Sequence, residues 1–355
     1  MMKPSLDDVL ADWAAGVPAR AEIARTVAAL AAAAAEIAGL VADGPLAGAL
    51  GAAVAENVQG EVQKELDRIA DDRFLAAAAA SPVAAFASEE RDHPVVLDPR
   101  APLLLAVDPL DGSSNIDTNV SIGTIFSILP APPDFPALAA EAGAALEHGP
   151  FLQPGRGQLA AGYVIYGPQT ALALTLRAGT MLFTLDRRSG TFRLTTPSVR
   201  VPERTHEFAI NTANSRHWDD PIRVYVEDCL AGEEGPRGEN FNMRWIASLV
   251  AECHRILVRG GVFLYPSDRR RGYHEGRLRL VYEANPISLL VEEAGGASTT
   301  GEVSILHVEP RHLHQRVPFI FGSKTEIERI EHHHADPHPH SERSPLFGRR
   351  GLFRA

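Results

Sequence analysis

Alanine, leucine and glutamate dominate residues 20–42 and 46–80, with few breakers beyond Gly51 and Gly60, and this composition predicts a helical layer at the N-terminus. The period then changes. Leu103-Leu104-Leu105-Ala106-Val107 is a continuous apolar run of strand length that stops at Asp108-Pro109, the pattern of a buried strand delivering polar residues at its carboxyl end. Ser121–Leu129 reads as the next strand and Pro130–Pro136 as a loop. Further strands are expected at Leu159–Tyr166, Ala171–Leu176, Met181–Leu185 and Phe192–Leu194, with reversals at Gly167-Pro168 and Ser189-Gly190. Arg244–Val258 returns to helical spacing, with Trp245, Leu249 and Cys253 on one stripe. Val262–Tyr265 and Leu278–Tyr282 are strands again. After the second, Asn285 suits an N-cap, Pro286 the first helical position, and Gly295 the end of a helix Ile287–Ala294. From Glu331 the chain loses apolar periodicity, which predicts disorder over residues 331–355.

The pattern as a whole implies an α/β (α+β) fold of layered helices and sheets, in a half at 1–200 and a second at 201–330. At 355 residues and 45% hydrophobic content there is enough chain for a sizeable core. The formal net charge of -11 argues against partners that are nucleic acid or anionic membrane, so any phosphate must be met locally, by a metal ion or a few placed cations. Asp7, Asp8 and Asp12 stand where a signal peptide would be basic and then apolar. Val27–Val41 is too short for a bilayer span and is interrupted by Glu36. Two cysteines, Cys229 and Cys253, make neither a disulfide framework nor a zinc site, which fits a reducing, cytoplasmic setting.

Candidate chemistry lies in acids at the ends of predicted elements. Glu89-Glu90 follows Ser88, Asp108 and Asp111 flank Pro109-Leu110, and Glu283 closes the strand Leu278–Tyr282. Such a set suits hard divalent cations, which take oxygen ligands and serve phosphoryl chemistry. Taken singly, a Glu-Glu pair is usually a solvated face, and Asp-Pro-x-Asp-Gly is often only a turn. What lifts the second is its sequel, Gly112-Ser113-Ser114-Asn115, whose small residues bring backbone N–H groups and hydroxyls to a phosphate. The three His residues at 332–334, with His338 and His340, read more simply as part of the tail.

Asp108-Pro109-Leu110-Asp111-Gly112-Ser113-Ser114-Asn115-Ile116-Asp117 resembles the signature of the lithium-sensitive, metal-dependent phosphatases. In this extended form it is similar to that of class I fructose-1,6-bisphosphatases. Gly276-Arg277-Leu278-Arg279-Leu280-Val281-Tyr282-Glu283-Ala284-Asn285-Pro286-Ile287 is similar to the same family's second signature. Leu66-Asp67, Ser88-Glu89-Glu90, Ser121–Phe126, Leu152–Arg156 and Phe263–Pro266 add matches, so that the resemblance spans roughly residues 5–330.

The resemblance implies that Glu89, Glu90, Asp108, Asp111, Glu283 and the carbonyl of Leu110 hold Mg²⁺, with Mn²⁺ as a substitute. It implies that water attacks the 1-phosphoryl group of fructose 1,6-bisphosphate while Glu90, aided by Asp67, takes the proton. Asp111, Gly112, Ser113 and Ser114 would bind substrate near the metals. Asn211, Arg244, Tyr265 and Arg277 would hold the distal phosphate, Arg244 reaching into a neighbouring subunit of a homotetramer. Glu61 stands where the family usually has Asp. Arg277 replaces a more usual Lys, and Trp245 and Asn214 replace tyrosines near the distal phosphate. Sedoheptulose 1,7-bisphosphate is the alternative substrate, and a catalytically silent regulatory homologue the alternative of another class. In animal members a Thr-Gly-Glu-x-Thr run near the N-terminus wraps the phosphate of AMP. Arg20-Ala21-Glu22-Ile23-Ala24 stands there instead, with Pro102-Leu103 in place of a flanking Lys-Tyr pair, which implies weak or no inhibition by AMP.

Overall fold

Eight strands between Val83 and Thr196 form one sheet whose two faces are both covered, and this sheet organises the molecule. The computed structural model describes residues 3–56, 62–142 and 149–335. Leu103, Leu105 and Val107 point to the face covered by the helices Leu6–Ala14, Pro18–Asp43 and Glu65–Ala79, packing with Val27, Leu30, Ile37 and Phe74. Leu104 and Ala106 point the other way, against Val281 and Tyr282. Burial on both faces explains why this strand is uniformly apolar rather than alternating.

Farther along, Ile125, Tyr163 and Ile165 pack on the helices Leu249–Arg259 and Asn285–Glu293, which lie over Phe263, Phe319 and Phe321 of a second, five-stranded sheet. Period-two alternation in that sheet sends Phe208, Val262, Leu264 and Ile320 to its outer face, under the helices Asp220–Ala231 and Lys324–Ala335. Helix and sheet therefore alternate through five layers, as the expected layered α/β fold requires. The large sheet is antiparallel except where Val83–Ser88 runs parallel to Leu103–Asp111.

Several local expectations are corrected. Residues 46–80 are not one helix: Gly44 and Gly48 take positive φ, a short hairpin pairs Ala53–Glu56 with Val62–Lys64, and the helix starts at Glu65. Alanine content favoured helix there, but the hairpin's pairing overrides it. The helix Pro18–Asp43 is, with its extension to Ala47, long and apolar enough by composition to cross a bilayer, contrary to the shorter span expected. Its Ile23, Val27, Leu30, Ala34 and Ile37 are spent on the core.

The strand beginning at Leu103 does not stop at Asp108-Pro109 but continues to Asp111. The helix expected from Arg244 begins at Leu249, with Ser248 capping it by accepting the N–H of Ala251, so Trp245 and Ile246 stand outside it. Leu278–Tyr282 is a strand only at Leu278–Arg279. Leu280–Ala284 form a π-helical turn that runs straight into the next helix, so Glu283 is helical and Asn285 is not an N-cap. The helix Lys324–Ala335 carries order past Glu331, because Ile327 and Ile330 anchor it to the second sheet. The rest of the expected tail, like Glu61, lies outside the described residues. Cys229 and Cys253 are free and buried.

Gly123 lies where the large sheet meets the helix Leu249–Arg259. A Cβ there would come within 2.3 Å of the Val164 carbonyl and 2.6 Å of Val250. Gly39, exposed in the helix Pro18–Asp43, has nothing within 4 Å. Gly123→Ala is expected to lose ~1–3 kcal/mol of unfolding free energy in urea. Gly39→Ala is expected to gain ~0.5–1 kcal/mol.

Candidate active site

The parallel pair of strands sets Ser88 beside Val107, so Glu89, which follows Ser88, comes level with Asp108, and the Glu89 N–H donates to the Val107 carbonyl at 3.1 Å. Residues three apart in a regular strand point to opposite faces. Asp108 pairs with Ile125 but Asp111 with Gly123, so the strand carries one extra residue across Pro109-Leu110. This bulge accommodates a proline that has no N–H to give and turns Asp108 and Asp111 toward the same region. Thr124 fixes it: its hydroxyl donates to the Pro109 carbonyl at 2.8 Å and is itself 2.9 Å from the Tyr166 hydroxyl. Leu110, inside the bulge, is buried and gives its N–H to Asp108 Oδ1 at 3.0 Å.

From the other half, the π-helical turn delivers Glu283. One carboxylate oxygen each from Glu89, Asp108 and Glu283 lie within 4.8 Å of one another, all buried. Burial, and then the charge of Glu89, pushes the carboxyls of Asp108 and Glu283 well above the usual range. Asp111 is nearby, its pKa raised by burial to about 6. Its Oδ2 accepts the Val250 N–H at 2.9 Å and the Ser248 hydroxyl at 3.3 Å, at the first turn of the helix Leu249–Arg259.

Arg279 was not among the candidates read from the sequence. Its guanidinium is 2.9 Å from Glu89 Oε1 and its N–H donates to Glu283. Its place, four residues before Glu283 and two after Arg277, was the available signal.

Glu90 and Asp67 form a second acidic group beside the first. Burial raises Glu90 to about 8, with Glu89 and then Asp67 adding to the rise. Asp67 is raised to about 7, again chiefly by burial. Gln63 donates to Glu90 Oε2 at 2.8 Å, and the Lys64 N–H to Asp67 Oδ2 at 2.7 Å. Asp67 Oδ1 is buried and has no hydrogen-bond partner. Two adjoining carboxyls that titrate near neutrality are suited to receiving a proton.

The serine turn starts at Gly112, whose φ of 78° reverses the chain out of the strand, and Ser113–Thr118 form a short 3-10 helix. Ser114 is exposed and Ser113 half-buried. At the far end, Asn211, Asn214, Trp245, Tyr265 and Asp268 line one small pocket. Trp245 lies parallel to Phe263, with ring centroids 5.9 Å apart. Arg277 donates to the Tyr273 hydroxyl at 2.7 Å, and Tyr273 also carries Arg270 over its ring. Asp268, Arg270 and Tyr273 had carried no signal beyond a basic loop after Pro266. Arg244 does not line this pocket: its Nε lies 3.5 Å from Glu207 Oε1 and its side chain is half exposed. A cavity of about 1050 Å³ between residues 38–52 and 116–122 is lined by none of Glu89, Asp108, Asp111 and Glu283, so charge rather than volume marks the site.

Matches to known proteins agree with this geometry. Residues 10–197 match the family model for the fructose-1-6-bisphosphatase N-terminal domain, and residues 201–335 that for its C-terminal domain. The chain belongs to the fructose-1,6-bisphosphatase family. It is 59% identical over 301 residues to the class 1 fructose-1,6-bisphosphatase of Rhizobium meliloti, covering 84% of this chain and 83% of that one. It is 55% identical over 344 residues to a class 1 enzyme of Xanthobacter autotrophicus, covering 97% and 90%. The crystal structure of holo Leishmania major fructose-1,6-bisphosphatase superposes with a TM-score of 0.85 at 30% identity, covering 95% of this chain and 100% of that one.

Members of this family are metal-dependent, and the donors present fit a hard cation. They are carboxylate oxygens, crowded enough to repel, buried, and neutralised only in part by Arg279.

Asp67 and Glu90 have native pKa values above those of an unfolded chain, so the native protein binds more protons. The stability they contribute is full below pH ~4 and is lost as the pH rises through about 7 and then about 8. In chelator, the melting temperature is expected to fall by several degrees between about pH 6 and 8.5, the direction set by the two raised carboxyls. Glu90→Gln should flatten that slope, which differential scanning fluorimetry across the pH series would measure.

Proposed function

We propose that the chain hydrolyses the 1-phosphate of fructose 1,6-bisphosphate at the seam between its two halves, with Mg²⁺ or Mn²⁺ held by Glu89, Glu90, Asp108, Asp111, Glu283 and the Leu110 carbonyl. The activity follows from family membership; the ion, the residue roles and the assembly are the proposal. The observation that carries it is the buried cluster of Glu89, Asp108 and Glu283, one turn from Gly112-Ser113-Ser114. What divalent cations supply in such a site is positive charge for the phosphoryl oxygens and a more acidic water.

The chain's own residues do the rest. Ser113, Ser114 and the N–H groups after Gly112 grip the phosphoryl group, and Asp111 binds the sugar beside it. Glu90 receives the proton of the attacking water. Gln63 engages its Oε2, which leaves Oε1 for that task. Asp67, buried alongside, aids Glu90, since the charge of Asp67 disfavours ionisation of Glu90. The phosphorus–oxygen bond to C1 then breaks in line with the entering water, and the departing C1 oxygen takes up a proton to leave as the alcohol of fructose 6-phosphate. A serine nucleophile finds no support, because no histidine stands in the serine turn to act as its base.

Asn211, Tyr265 and Arg277 serve the phosphate that is kept. Arg244, directed toward Glu207 and half exposed, suits the site of a neighbouring subunit in a cytoplasmic homotetramer. Tryptophan and asparagine at 245 and 214 leave the distal pocket with fewer hydroxyl donors, so kcat/KM for fructose 1,6-bisphosphate should be measured beside that for sedoheptulose 1,7-bisphosphate. A catalytically silent role has no support from an acid set this crowded, which serves no packing purpose.

Turnover is expected to vanish in chelator and return with Mg²⁺, and Glu90→Gln or Asp111→Asn to lower kcat by ~10²-fold or more. Phosphate release that persists in chelator would overturn the metal assignment. AMP is expected not to inhibit at low micromolar concentration, since Arg20 is engaged with Trp13, donating to its carbonyl at 3.1 Å and lying over its ring. An initial-rate titration at saturating Mg²⁺ tests this.

A further inference from the structure

The turn that precedes the helix Leu249–Arg259 touches both ends of the site. Trp245 lines the distal pocket, while Arg244 beside it turns outward toward Glu207, where it is placed to serve a neighbouring subunit's distal phosphate. Four and six residues after Arg244, the Ser248 hydroxyl and the Val250 N–H hold Asp111 Oδ2 at the metal end. Between them Ala247 adopts φ +60°, a left-handed conformation that an alanine keeps only when its surroundings hold it. It is held from two sides. Asn115 Nδ2 donates to the Ala247 carbonyl at 2.9 Å, and the Ile246 N–H donates to Glu252 Oε1 at 2.7 Å.

Glu252 is fully buried and is bonded through both oxygens. Its Oε2 takes Arg255 Nε at 3.2 Å and Nη2 at 3.0 Å. Arg255 continues to Glu207 at 2.8 Å, the same carboxylate that Arg259 and Arg244 approach. A buried acid inside a helix has no packing reason to be there, and this one faces neither a metal nor the pocket. Its two oxygens tie a strained turn to a network of arginines that includes Arg244.

We propose that Glu252 is a positioning residue which, by accepting the Ile246 N–H, sets the affinity of the site for the distal phosphate and for the metal ion together. This rests on the functional reading above, in which Arg244 serves the distal phosphate and Asp111 the metal end. Shifting the turn moves Arg244 and Trp245 at one end and the partners of Asp111 at the other, because all are carried on seven consecutive residues.

Two conservative variants of the full-length enzyme separate position from charge. Glu252→Asp keeps the charge facing Arg255 but draws the carboxylate back one methylene from the Ile246 N–H. Glu252→Gln loses the charge but retains an oxygen that can accept that N–H. Steady-state kinetics would give KM for fructose 1,6-bisphosphate, and the rise of melting temperature with added Mg²⁺ in the absence of substrate would give the Mg²⁺ requirement. Glu252→Asp is expected to raise both by about tenfold, and Glu252→Gln to keep both within about threefold of the parent. An aspartate variant that shifts neither or only one of the two, or a glutamine variant worse than the aspartate, would overturn the proposal. Arg244→Ala serves as the reference, raising KM while leaving the Mg²⁺ requirement alone. Should Arg244→Ala leave KM unchanged, the distal assignment fails, and the rise in Mg²⁺ requirement of Glu252→Asp still judges Glu252.

Discussion

Carboxylates buried beside one another are the constraint on which this structure turns. Glu89, Asp108, Asp111 and Glu283 are each less than a tenth exposed, and Asp67 and Glu90 adjoin them. Desolvation disfavours every one of these charges, and their mutual repulsion adds to it. Two devices make the arrangement tolerable in the protein alone. Protonation is the first, reflected in the upward shifts of Asp67, Glu90, Asp111 and the pair Asp108 and Glu283. The second is Arg279, whose guanidinium and N–H meet Glu89 and Glu283. A bound cation would relieve the same repulsion, which is why so costly a cluster is kept.

The layers explain how such a cluster can be assembled at all. Its first acids hang from the ends of a parallel strand pair in the large sheet, a rigid element with both faces covered. Glu283 and Arg279 come from the turn entering the helix that packs across that sheet, and Asp111 is held by the first turn of another helix of the same layer. The site is therefore a seam between two packed bodies. Apolar packing runs continuously across that seam, from Ile125 and Tyr163 through Val250 and Leu290 to Phe319, which fixes the spacing of the acids. The strained turn at Ala247 and its buried partner Glu252 lie on that seam, between Asp111 and the small pocket lined by Trp245 and Tyr265.

Much of this was legible in the order of residues, and the reason is local. Strand and helix periods follow from side-chain geometry over a few residues, so six of the large sheet's eight strands and the helix after Pro286 could be read with small boundary shifts, while Val83–Ser88 and Val95–Val96 were not. The acids and the serine turn were legible because hard-cation and phosphate chemistry admits few residue types, and those types sit close together in the chain. Family resemblance then supplied the roles of Asp67 and of the distal residues, which no local pattern distinguishes.

What the tertiary structure alone decided depends on partners far apart in sequence. The bulge at Pro109-Leu110 exists because of how that strand pairs with its neighbour, and it brings Asp108 and Asp111 to one side. Asp111 meets Ser248 across 137 positions and Asn115 meets Ala247 across 132, contacts with no trace in either local segment. Residues 46–80 looked helical throughout by composition, but Ala53–Glu56 and Val62–Lys64 pair as strands and the helix starts only at Glu65. Arg279, Glu207 and Glu252, which the sequence did not single out, are ion-paired and buried. Composition and period set which elements form; burial of charge across the seam set where each functional side chain stands, since the cost of an unpaired buried charge is settled only by its three-dimensional neighbours.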